Sequence, residues 1–176
     1  IFGSAEFFGE RFIINKDTLI PRQETELLVE QCLEQIKLIK GEARILEIGA
    51  GCGNISISIA RNSKNTKITS IDISKGAVKT SRMNAARLTG CGKIKFIAAD
   101  IFDDNFIKKR SRMKYNLIIS NPPYISSGEL PGLQKEIHFE PASALDGGRD
   151  GLNYYRRIAG VAGRLIAERG RLLTEI

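Results

Sequence analysis

Four places in this chain set polar or small residues where an apolar run stops. The first is Asn121-Pro122-Pro123-Tyr124, directly after the apolar run Tyr115 to Ile119. Proline cannot donate to a strand ladder. The tetrapeptide is therefore either a stiff exit from a buried strand or a frame presenting the Asn121 amide and the Tyr124 ring. The second is Gly49-Ala50-Gly51-Cys52-Gly53, after Leu46-Glu47-Ile48. Glycines there permit a tight turn and the close approach of a ligand. A dinucleotide fingerprint places its third glycine one position later, where this chain has Asn54. The third is Asp72, 19 positions after Gly53. A carboxylate so placed can accept both hydroxyls of a ribose, or it is a solvated acid or part of a helix cap with Ser74. The fourth is Asp100, which can accept from the exocyclic amine of an adenine, with Ile101 packing on the ring face. Glu47, just before the glycines, adds negative charge where a cationic ligand can sit.

Such groups need strand ends to stand on, and the pattern from Arg44 onward supplies them. Strands are predicted over 44–48, 67–73, 93–100, 115–120 and 171–176. Helices are predicted over 54–62, over 74–90 with Ser74 as N-cap and Gly90 as stop, and over 151–170 ended by Gly170. Strands alternating with helices over short connections imply an α/β fold, a parallel sheet covered on both faces. Upstream, residues 6–21 read as a hairpin or flap, and 21–39 as a helix capped by Thr25 or a neighbour. Leu28, Cys32, Ile36 and Ile39 make its apolar stripe, with Cys32 a small buried hydrophobe rather than a nucleophile. The chain divides into a flap and linking helix, 1–40, and a core, 41–176.

Composition narrows the classes. With 176 residues the chain can bury a core. No apolar run has the length of a membrane span, and the first residues do not read as a secretory signal. Cys32, Cys52 and Cys91 are scattered, which suggests reduced thiols in a cytoplasmic protein. One histidine, His138, and no Cys/His cluster argue against zinc. The net charge of +7 permits an acidic or nucleic-acid partner. The densest basic stretch, Lys108 to Lys114, is either a solvated loop or a contact for such a partner.

The order glycine loop, Asp72, Asp100 and Asn-Pro-Pro-Tyr resembles the Rossmann-like class I fold of S-adenosylmethionine-dependent methyltransferases. The tetrapeptide resembles the motif of enzymes that methylate amide or exocyclic amine nitrogens. The flanks are more specific. Phe8-Gly9, Phe12, Ile20-Pro21-Arg22 and Glu24-Thr25-Glu26 resemble the signature of the HemK/PrmC family, the protein-(glutamine-N5) methyltransferases of peptide-chain release factors. Gln23 stands where that family has proline. Downstream, Phe139-Glu140-Pro141, Ala144-Leu145, Gly147-Gly148 and Asp150-Gly151-Leu152 match it too.

The resemblance implies roles. Gly49, Ala50, Gly51, Cys52, Gly53, Asp72, Asp100 and Ile101 would bind S-adenosylmethionine. Asn121 would touch both cofactor and glutamine, and Pro122, Pro123 and Tyr124 would complete the amide site. The segment Pro21 to Glu26 would close over the cofactor, with Arg22 or Thr25 near it. An amide NH2 is a poor nucleophile, so transfer to it depends on alignment. Carbonyls of Asn121 and Pro122 can hold its two N–H bonds while Tyr124 packs on the plane. The partner implied is a release factor, with no stable nucleic acid and no membrane. The family also has an N-terminal helical domain and continues past Ile176 with a helix and an antiparallel strand pair, so the chain reads as a core truncated at both ends. Rival readings are a methyltransferase of adenine N6 or guanine N2 in nucleic acid, a cofactor-binding remnant without turnover, and, on the glycine loop alone, a dehydrogenase.

Overall fold

The central strands are runs of aliphatic and β-branched residues whose alternate side chains pack on opposite faces of one sheet. In this computed structural model, residues 3–90, 94–134 and 137–176 are described, without the His138 side chain. Cys91, Lys93 and the side chain of His138, read above as thiol, strand start and lone imidazole, lie outside the described residues. The chain opens with a hairpin, β1 (Gly3–Phe7) and β2 (Glu10–Ile14), followed by α1 (Thr25–Lys37). Then come β3 (Ala43–Ile48), α2 (Asn54–Asn62), β4 (Thr66–Asp72), α3 (Lys75–Leu88), β5 (Ile94–Ala98), α4 (Asp104–Arg110) and β6 (Tyr115–Ser120). Three short 3-10 turns precede α5 (Asn153–Leu165) and β7 (Ile166–Thr174). The five core strands run parallel in the order β5-β4-β3-β6-β7.

Ile45, Ile68, Phe96 and Leu117 meet α1, α2 and α3 through Val29, Cys32, Ile57 and Val78. Leu46, Ile71 and Ile118 meet α4 and α5 through Ile107, Ile158 and Val161. The sheet is thus covered on both faces, as the alternating pattern predicts. The hairpin joins the first of these cores through Phe7 and Phe12. Its two-residue turn holds Phe8 at φ 50° and Gly9 at φ 75°, the left-handed pair that suits a tight hairpin. Cys32 is fully buried, and burial pushes its thiol up to about 12.

Several boundaries differ from the sequence reading. The helix expected over 21–39 begins at Thr25, with Glu24 in the N-cap position and no side-chain cap. Residues 21–24 are a turn that leads into it. The helix expected over 151–170 ends at Leu165, because Ile166 already pairs with Tyr115 in the sheet. Gly170 is therefore not a helix stop. It lies in a bulge of β7, where a Cβ would press on the carbonyls of Ala167 and Asn116 at 3.0 Å. The basic stretch from Lys108 is not wholly a loop, since Lys108–Arg110 form the last turn of α4. Asp103 caps that helix by accepting from the Asn105 N–H.

Glu47 does not face a ligand. It is fully buried between β3, β4 and α2, where Ser56 and Ser70 both donate to its Oε2. Among the described residues nothing bonds its Oε1. Burial raises its pKa from the ordinary 4.5 to about 7, against the opposing effect of the two serine hydroxyls. An unfolded chain gives up this proton near 4.5 while the folded protein holds it to about 7. Glu47 thus lends full stability below the lower value and loses it as pH rises through the interval. Glu47→Gln keeps an acceptor for the serines and cannot ionise. Urea melts of both proteins from pH 4.5 to 7.5 should show the wild type losing up to about 1.4 kcal/mol per pH unit relative to the variant.

Candidate active site

The polypeptide leaves β3 for β4 on one side of the sheet and resumes at β6 on the other. The strand order reverses there, and open α/β sheets bind ligands at such a point. A cleft open to solvent lies at these carboxyl ends.

The glycine loop folds its floor. Gly49 and Ala50 both donate to the Ile71 carbonyl, at 2.8 and 2.9 Å, which ties the loop to β4. Gly51, at φ 53°, donates its N–H to Asp72 Oδ2 at 2.9 Å. Asp72 Oδ1 accepts from Ser74 N at 2.8 Å. Each oxygen of Asp72 thus has one backbone donor and retains a lone pair toward the cleft it lines. Burial raises the Asp72 pKa, and the two backbone N–H bonds oppose the rise. Asp100 Oδ1 accepts from Phe102 N at 2.8 Å, and Ile101 beside it is buried. Asp17, Asp72 and Asp100 give the cleft three carboxylates.

Of the residues singled out in the sequence, Gly49, Gly51, Asp72, Asp100, Ile101, Asn121, Pro122 and Pro123 line this cleft. Ala50, Cys52 and Gly53 do not. Ala50 and Cys52 point into the core, and burial pushes the Cys52 thiol up to about 12. Gly53, at φ 86°, lets the start of α2 touch α3, because a Cβ there would lie 3.0 Å from Ile57 and Ser81. Its glycine answers to packing. Tyr124, half exposed at 51%, lines a second hollow of about 530 Å³ with Leu19, Ile137 and Leu145. Asn121 and Pro122, with Leu19, Arg22 and Ala144, line both hollows and form the wall between them.

Other lining residues escaped the sequence reading. Ile73, 57% exposed, projects at the cleft directly after Asp72. An apolar residue past a strand-end acid was a legible signal for it. Asp17 comes from the turn after β2, and the missing Cβ of Gly76 leaves room for its side chain. Tyr154, from the first turn of α5, has no local signal.

The tetrapeptide is braced from three distant segments. Asn121 Nδ2 donates to Thr25 Oγ1 at 3.1 Å. Arg22 pairs with the nearly buried Glu140 at 2.5 Å, and Glu140 Oε2 accepts from Ile20 N at 2.9 Å. That clasp joins the loop before α1 to the 3-10 segment, and Arg22, Pro141 and Ala144 from its two sides line the cleft. Glu26 takes the Phe8 N–H at 2.7 Å, so the hairpin turn is anchored to α1 as well. Beneath Tyr124, Ile125 N donates to the Leu145 carbonyl and Gly147 N to the Ile125 carbonyl, at 3.1 and 2.8 Å. A Cβ on Gly147 would lie 2.8 Å from the Pro123 carbonyl, and one on Gly151 would overlap the Tyr124 carbonyl.

Parallel strands in this order, with a glycine loop and strand-end acids at the switch point, define the Rossmann-like class I methyltransferase fold. Solved structures agree. A SAM-dependent methyltransferase from Agrobacterium tumefaciens superimposes with a TM-score of 0.68 at 16% identity, covering 99% of this chain and 53% of that one. A precorrin 8w decarboxylase from Methanobacterium thermoautotrophicum does so with a TM-score of 0.60 at 14% identity, covering 94% and 69%. At these identities the likeness is one of fold alone. Residues 23–148 match the methyltransferase small domain family, and the chain belongs to it. Two relatives called release factor glutamine methyltransferase are each 40% identical over all of this chain. In the protein from Fusobacterium nucleatum the match covers 48% of the length, and in that from Dictyoglomus turgidum 60%. The chain therefore spans about half to three fifths of these relatives.

The glycine brace is directly testable. Gly151→Ala adds a methyl at φ 75° against the Tyr124 carbonyl and is expected to cost about 1–3 kcal/mol in chemical denaturation. Gly128→Ala, where a Cβ meets nothing within 4 Å, is the control and should change stability by less than about 1 kcal/mol.

Proposed function

We propose that this chain is the catalytic core of an S-adenosylmethionine-dependent enzyme that methylates the side-chain amide nitrogen of the glutamine in the Gly-Gly-Gln loop of peptide-chain release factors. The observation that carries the reading is the wall shared by the two hollows. Asn121 and Pro122 face an acid-lined cleft on one side and, on the other, a smaller hollow beside Tyr124. Transfer of a group between two ligands needs such a divided site. The names of the relatives give the acceptor.

The residues present fit the cofactor. Gly49 and Gly51 carry no side chain where the cleft meets the loop, Asp72 keeps lone pairs for ribose hydroxyls, and Asp100 with Ile101 suits an adenine. Three carboxylates suit a sulfonium cation electrostatically. When bound, S-adenosylmethionine supplies an electrophilic methyl group. The chain's own contribution is orientation. The Asn121 side-chain carbonyl and the Pro122 backbone carbonyl accept the two N–H bonds of the glutamine amide. The Tyr124 ring covers its plane, and the nitrogen lone pair is left facing the first cleft. The alkylated nitrogen is acidic and releases its proton to water, so no histidine or cysteine base is needed. Both cysteine thiols described are buried and neutral at pH 7, in keeping with this.

Among the described residues no helix is long and apolar enough to cross a membrane. A release factor as partner fits an exposed Tyr124 lining the second hollow. The test is labelled S-adenosylmethionine with a release factor and the intact protein. Label is expected on the Gly-Gly-Gln glutamine and on no other residue. Label on RNA or DNA amines instead would replace this reading with nucleic-acid methylation. Cofactor binding with no label anywhere would leave a binding remnant. Asn121→Ala should lower kcat about 100-fold or more while leaving thermal unfolding within a few degrees of wild type.

A further inference from the structure

We infer that Thr25 is a positioning residue for the transfer, acting through Asn121 and not by touching a substrate. The inference rests on the amide-methylating reading above and adds a residue to it. An asparagine side chain can present either end to a ligand. Its oxygen accepts and its NH2 donates. An acceptor amide that arrives with its own NH2 requires the oxygen. In the structure the NH2 end of Asn121 is taken up, because Nδ2 donates to Thr25 Oγ1 at 3.1 Å. No donor among the described residues reaches Asn121 Oδ1, which leaves it for the acceptor. Thr25 is itself 2% exposed, so its hydroxyl has no bulk water to turn to.

Thr25 is rigidly held. It is the first residue of α1, and its N–H donates to the Arg22 carbonyl at 3.2 Å. Arg22 is in turn clasped to Glu140, and the next residue, Glu26, holds the hairpin turn through Phe8 N. The hydroxyl that fixes the Asn121 amide is therefore set by a separate part of the chain, 96 positions away in sequence. Its geometry does not depend on whether the strand exit itself shifts. With the hydroxyl removed, the amide of Asn121 loses the side-chain contact that anchors its NH2 end, and its carbonyl is free to turn away from the acceptor.

The test uses the intact protein. Thr25→Val keeps the shape and removes the hydroxyl, and Thr25→Ser keeps the hydroxyl. We expect Thr25→Val to lower kcat for glutamine methylation about 10- to 100-fold, with the S-adenosylmethionine Kd within about twofold of wild type, and Thr25→Ser to restore most of the rate. The side-chain NH2 resonance of Asn121 in 15N-labelled protein should move in Thr25→Val and stay in place in Thr25→Ser. If Thr25→Val does not fold, Thr25→Ala with the same measurements takes its place. A hydroxyl-free variant with the wild-type kcat overturns the inference, as does Thr25→Ser being as slow as Thr25→Val. Wild-type protein that labels no glutamine at all overturns the proposed function instead, so the two failures are distinct.

Discussion

A chain that leaves a parallel strand through two consecutive prolines cannot hold itself in place. Pro122 and Pro123 bring no N–H, so the exit from β6 gains no ladder hydrogen bonds of its own at these positions. Whatever shape residues 121–124 hold must be imposed from outside. Much of the surrounding architecture answers that constraint. The Leu145 to Gly148 strip pairs with Ile125 and Ser127 immediately after the prolines. Gly147 and Gly151 omit their side chains so that backbone can lie against backbone there. Thr25 takes the Asn121 side chain directly before the prolines. The tetrapeptide is stiff locally and located globally, and the proposed transfer, governed by alignment, would need the second property.

The same division of labour explains the acidic residues. Asp72 and Glu47 lie on neighbouring strands, yet one faces a ligand cleft and the other a dry interior. Position along the strands decides this, because Ser70 and Asp72 share one face: Glu47 pairs in register with Ser70 of β4, one residue pair inside the sheet, where α2 covers it. Asp72 sits at the last position of β4, where the sheet ends and backbone donors of the glycine loop are free to meet it. A buried acid that keeps its proton to about 7 ties strands together as a neutral group. A strand-end acid with two backbone donors is instead fixed in direction and kept available.

The sequence made the strand ends legible because each depends on local chemistry. Aliphatic runs stop at Gly49, Asp72, Asp100 and Asn121, and the Ser74 cap forms as its type predicts, with its hydroxyl accepting from Ala77 N. Helix α4 is short and was hidden inside a basic run, although Asp103 before it is a capping residue. The end of α5 was misplaced because its apolar spacing continues into β7, and pairing with Tyr115 overrides that spacing. Gly53 was read as part of a ligand cradle, since nothing local says that Ser81 lies above it. The roles of Thr25, Arg22 and Glu140 were out of reach for the same reason. Their partners are 96 to 120 positions away, and no periodicity encodes such a contact.

Those long contacts bear on what sets reaction type within a shared fold. The fold is common to proteins 14–16% identical to this one, one of them called a decarboxylase. It supplies a place for a ligand and little more. The residues that brace Asn121 to Tyr124 come from outside the strands: the loop before α1, the 3-10 segment at Ile137–Phe139 and beyond, and the glycines at 147 and 151. Three segments that look unrelated along the chain are thus one structure, assembled around four residues. On the proposed function, binding would rest on the strand ends and transfer on the braces between the connections.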